Sequence, residues 1–139
     1  MHDAAYVIPA NEYRRERWKN GLGWTREILR VPDSGDWAWR LSIAEIERDA
    51  AFSPFPGIER ELVLIRGNGL RLRFDQGETI ELAPPHGRLR FSGEQKVSGE
   101  LVDGLTHDFN LMWRRGAVAG ELLHRPLVEA DVADARRHG

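Results

Sequence analysis

Short alternating runs dominate the chain, and the three-to-four spacing of an amphipathic helix is nearly absent. In "WAWRLSI" (37–43), Trp37, Trp39, Leu41 and Ile43 fall on one face, and Ala38, Arg40 and Ser42 on the other. That is the period of two that a strand imposes. "ERELVLI" runs through "RGNG" into "LRLRF", where Leu70, Leu72 and Phe74 alternate with Arg71 and Arg73. Gly67-Asn68-Gly69 can supply positive φ, so a hairpin is predicted over about 61–75. Further strands are predicted at 79–82, 88–91, 99–102 and 108–113, with Pro84-Pro85 closing the first of these. "RDAAFSPFPGIER" (48–60) holds two prolines and a glycine and is predicted to be an ordered loop. Short strands separated by Gly, Pro and Asp turns predict an all-β, antiparallel sandwich or small barrel over residues 1–125. The Ala-rich, charged stretch 126–139 reads as a tail, either a short helix or a frayed end.

Composition narrows the functions more than it names one. The 139 residues suit one domain with a real core. Lys plus Arg number 20 against 22 Asp plus Glu, a net charge of -2, which is no electrostatic footprint for nucleic acid or an anionic membrane. No cysteine is present, so thiol catalysis, disulfides and cysteine-type zinc sites are excluded. The first residues lack a basic stretch followed by an apolar run, and no apolar stretch approaches the roughly 20 residues of a membrane helix, so a cytoplasmic protein is expected. Only Lys19 and Lys96 among the basic residues are lysines.

Lys19 belongs to the densest polar and aromatic cluster of the chain, "WKNGLGWTRE" (18–27). Gly21 and Gly23 let backbone N–H groups approach a ligand, while Lys19, Asn20 and Thr25 offer a cation, an amide and a hydroxyl. Trp18 and Trp24 would wall such a site. The same residues also fit a glycine turn with both rings in the core. Arg40 and Ser42 either point to water or look into a barrel mouth, where Arg40 could clamp a carboxylate. Arg60 stands at a strand entrance, either as a solvated flank or within reach of a ligand. In "DFNLMW", Asn110 sits mid-strand on the face of Asp108 and Met112, and a buried amide must find partners. Glu27 and His107 are the candidates for acid–base chemistry. The five histidines show no His-x-His or His-x-x-x-His spacing, so no metal and no other cofactor is expected.

Four stretches in order carry a resemblance. "WKNGLGWTRE", "WRLSIAEI" (39–46), "FSPFPGIERELVLIRGNGLRL" (52–72) and "DFNLMWRRG" (108–116) resemble the signature segments of the HutD/Ves family over about residues 7–125. Leu22 replaces a glycine of the first signature. The resemblance implies an RmlC-like cupin β-barrel, a link to histidine utilisation, and a pocket for a small carboxylate such as urocanate or formylglutamate. Members run longer, through strands of a second barrel, so here that barrel is expected to be abbreviated, or its edges to be covered by another chain, as in a homodimer. The implied function is a metal-free binding protein, accessory or regulatory, with Trp18, Lys19, Asn20, Gly21, Thr25, Arg40, Ser42, Arg60 and Asn110 around the ligand. The alternative is an isomerase or hydrolase using Glu27 or His107.

Overall fold

The computed structural model describes residues 14–32 and 35–116. The expected tail at 126–139 and the end of the 1–125 unit lie outside the described residues. Among those residues every regular element is a strand, and no helix is long and apolar enough to cross a membrane. Strands β1 (Arg14–Arg17), β2 (Gly23–Val31), β3 (Trp39–Ile46), β4 (Ala50–Ala51) and β5 (Ile58–Arg66) fill the first half. They are followed by β6 (Leu70–Phe74), β7 (Thr79–Leu82), β8 (Arg88–Ser92), β9 (Val97–Leu101) and β10 (Thr106–Arg114). One sheet has six strands in the order β1-β2-β3-β10-β5-β8, the other four in the order β4-β9-β6-β7, and every pairing is antiparallel. The all-β antiparallel expectation is therefore met.

The predicted hairpin over 61–75 is not one. Strand β5 pairs with β10 and β8, whereas β6 pairs with β7 and β9, so the Gly67-Asn68-Gly69 turn carries the chain from one sheet to the other. Gly67 has φ 112° and Gly69 has φ 139°, outside the left-handed values of a tight hairpin turn. A Cβ on Gly67 would lie 2.7 Å from the Leu105 carbonyl, so this corner needs glycine for room as well as for dihedral. The loop predicted at 48–60 is shorter than expected: Ala50–Ala51 adds to β9, and β5 already begins at Ile58. Two strands, β1 and β2, lie where the alternation gave no prediction.

Both faces of the six-stranded sheet are buried. On one face Leu29, Trp39, Leu41, Ile43, Val63, Phe109, Leu111 and Trp113 form a cluster drawn from this sheet alone. On the other face Ala44, Ile46, Leu62 and Leu64 meet Leu70, Leu72, Phe74, Leu82 and Val97, which joins the two sheets across their interior. Burying a large aliphatic side chain contributes about 1.5–3 kcal/mol, so the interior cluster is what holds the sheets together. Toward one end of the same interior face the side chains turn polar.

Candidate functional site

Register places these polar side chains row by row. Across the interior face Arg30, Arg40, Met112, Arg60 and Phe91 stand side by side on β2, β3, β10, β5 and β8. The next row is Glu27, Ser42, Asn110, Leu62 and Leu89, and the one below it Thr25, Ala44, Asp108 and Leu64. Directly opposed residues in antiparallel strands point the same way with Cβ atoms about 4.5–5.5 Å apart. A cavity of about 410 Å³ opens over the upper two rows and reaches Thr25 and Ala44 of the third. Its walls come from the β1–β2 turn on one side and the loop after β4 on the other.

The turn supplies Trp18, Lys19 and Asn20, with Thr25 following on β2. The Trp18 indole N–H donates to the Thr25 hydroxyl at 2.8 Å, which fixes the ring against the cavity. Asn20 spends its side-chain oxygen on the Leu22 N–H at 2.9 Å, a local turn bond, so its amide helps shape the rim. Gly21 has φ 75° and does not line the cavity; its carbonyl accepts from Arg17. A Cβ on Gly23 would lie 2.6 Å from the Glu45 carbonyl and 3.1 Å from the Trp18 ring, so the second glycine gives the indole its room. Trp24 stands on the opposite face of β2, with the Arg15 and Arg17 guanidinium carbons 3.9 Å and 4.8 Å from its ring centre. It walls nothing in the cavity.

Arg60 is the centre of the arrangement. It is 5% exposed, and its guanidinium carbon lies 5.5, 5.6 and 5.1 Å from the ring centres of Phe52, Phe55 and Phe91. Among the described residues no carboxylate pairs with it, and its Nε has no hydrogen-bond partner. Burial pulls its pKa down to about 10, so it is still a cation at neutral pH. Ring faces offset part of the cost of burying a charge, but an unpaired buried cation remains expensive. The Ser42 hydroxyl and the Asn110 side-chain oxygen, on the same face, are also buried without partners.

Arg40 differs from Arg60 in being neutralised. Its Nε donates to the Glu27 carboxylate at 2.9 Å, and Arg30 reaches the same oxygen at 2.9 Å through Nε. Glu27 does not itself line the cavity; it holds Arg40 against it. His107 lies on the opposite face of β10, in a row with Trp24, Glu45 and Arg66. Partial burial lowers its pKa, while the charge of Glu45 works the other way. The isomerase or hydrolase reading gains no support from these placements, since neither residue lines the cavity.

Eight of the nine proposed ligand-contacting residues thus come together at the cavity, Gly21 being the exception. Phe52 and Phe55 escaped the sequence reading because they fall in a Pro-Gly stretch with no alternation to mark a face. The cavity lining contains no histidine, and among the described residues no three His, Asp or Glu side chains converge as metal ligands.

Comparison with known proteins finds relatives of this chain. The family model described as HutD matches residues 10–137. A 21.2 kDa protein from the region 3′ of hutC in Pseudomonas putida is 42% identical over 111 residues, covering 77% of this chain and 57% of that protein. Protein Ves of Cronobacter sakazakii is 39% identical over 99 residues, 70% of this chain and 54% of its own. The structure of HutD from Pseudomonas fluorescens SBW25, solved in a formate condition, is 39% identical with a TM-score of 0.73, over 81% of this chain and 61% of that one. The chain therefore spans a little over half the length of the relatives it matches. The two-sheet fold is the cupin type that the resemblance implied.

Proposed function

The chain belongs to the HutD family, and from that premise we propose that it binds a small carboxylate metabolite at Arg60, without a metal, as an accessory or regulatory protein of histidine utilisation. One observation carries this reading: a buried guanidinium, open to a cavity of about 410 Å³, with no carboxylate among the described residues to neutralise it. A small carboxylate supplies the missing charge and two acceptor oxygens, and charge-assisted pairs of this kind are the strong ones. Arg40, held by Glu27, offers a second donor two strands away, and Trp18 closes the side. The link to histidine utilisation rests on the hutC-region relative and on the family. Cytoplasmic residence fits the same reading.

Calorimetric titration with urocanate and with formylglutamate, in the presence of a chelator, tests it. Binding of at least one is expected, with a change in tryptophan emission from Trp18. Replacing Arg60 by Gln should weaken binding at least about tenfold, the value of a charge-assisted bond at roughly 1.5–3 kcal/mol. Undiminished affinity in both Arg60→Gln and Arg40→Ala would place the ligand elsewhere.

A further inference from the structure

Arg60 accounts for one end of a ligand only. The row beside it holds two more buried polar atoms without partners, the Ser42 hydroxyl and the Asn110 Oδ1, directly opposed across β3 and β10. Neither is on the rim, and both residues line the cavity. An amide oxygen accepts and never donates, so the occupant that satisfies it must bring a hydrogen to it. A plain carboxylate has none. Its oxygens set against Asn110 Oδ1 would oppose two acceptors at close quarters, in surroundings where an unmade hydrogen bond costs about 1–3 kcal/mol. The rows of the sheet are two residues apart along β3, β10 and β5, so the anionic end and the donating end of the occupant are separated by several ångströms.

Building on the carboxylate reading above, we propose that the Ser42–Asn110 pair is a second, donor-seeking subsite, and that the ligand class is a carboxylate carrying an N–H or O–H group a few bonds from the anion. The pair makes Asn110 a specificity-determining residue: it adds little for ligands that lack the donor, and it discriminates strongly among isosteres. Leu62, opposite Asn110 on β5, is apolar, so no acceptor flanks Asn110 on that side.

Two simple probes differ only in this property. Succinamate and levulinate have the same chain and the same carboxylate; one ends in an amide NH2, the other in a methyl group. Succinamate should bind the wild-type protein roughly tenfold more tightly than levulinate, as expected where the lesser ligand leaves a buried acceptor unpaired. Asn110→Leu should abolish the preference between the two probes, with Ser42→Ala as a milder variant should Asn110→Leu fail to fold. Equal affinity of the wild-type protein for the two probes would overturn the donor subsite and leave the carboxylate reading standing. Binding of neither probe, together with none of urocanate or formylglutamate, would remove both.

Discussion

At the scale of single residues, buried polar atoms without partners differ in what lies over them. Arg60, Ser42 and Asn110 lie under a cavity that can bring them partners. Asp108 is the contrast. It is fully buried one row below, between Ala44 and Leu64, and outside the cavity lining; Thr106 donates to its Oδ2 at 2.8 Å, and Oδ1 has no partner. Burial raises its pKa from 3.8 to about 7, against the smaller opposing pull of the Thr106 hydrogen bond. The folded state therefore holds this proton more tightly than the unfolded chain does. Its contribution is most favourable below 3.8, declines as pH rises toward about 7, and levels off above that. Asp108→Asn should remove this component. Urea denaturation of the two proteins across that range is expected to show the variant gaining on wild type as pH rises; a constant difference would mean that Asp108 does not titrate on unfolding.

At the scale of elements, the β1–β2 turn tests how a wall of the cavity is held. Gly23 gives room to Trp18, whereas a Cβ on Gly21 meets nothing within 4 Å. Gly23→Ala should displace the indole, shift its emission and cost about 1–3 kcal/mol, as overpacking does. Gly21→Ala, strained only by its φ of 75°, should cost about 1 kcal/mol and leave emission unchanged. Comparing thermal midpoints and tryptophan spectra of the two variants checks both expectations. The same elements show what could be seen in the sequence. Alternation located β3 and β10 and put Arg40 with Ser42, and Asn110 with Met112, on common faces. It could not say which face looks inward, because the apolar face of the same sheet is buried as well. The four matching segments tipped that choice toward the cavity side. Pairing partners were beyond reach: "RGNG" has hairpin chemistry, yet β6 pairs instead with β7, the next strand, and with β9, farther along the chain. His107 looked close to the polar face because it is adjacent in sequence, but adjacency in a strand means the opposite side.

At the scale of the whole molecule, β10 is flanked by β3 and β5 along most of its length, whereas β1 and β8 are the outer strands of the larger sheet and β4 and β7 those of the smaller. Amide exchange should follow this order, slowest in Phe109–Met112 and fastest in Arg14–Arg17, where every residue is exposed. Exchange that is uniform across the larger sheet would indicate that it opens as one unit. The outer strand β1 is rich in arginine, and Arg15 and Arg17 bridge to Glu45 and Glu47 at 3.0 and 2.6 Å. These exposed pairs add little stability. Charge along an open edge does discourage pairing with another chain.

Strand β10 has one more consequence, which concerns how this fold can change over time. Its odd-numbered members Phe109 and Leu111 sit in one oily layer, while Asn110 and Met112 face the cavity. Inserting or deleting a single amino acid there would exchange the two sets at once, pushing an amide into grease and a phenyl ring into the cavity. Point replacements of inward-facing members can reshape the cavity, but the length of this segment has almost no freedom to drift.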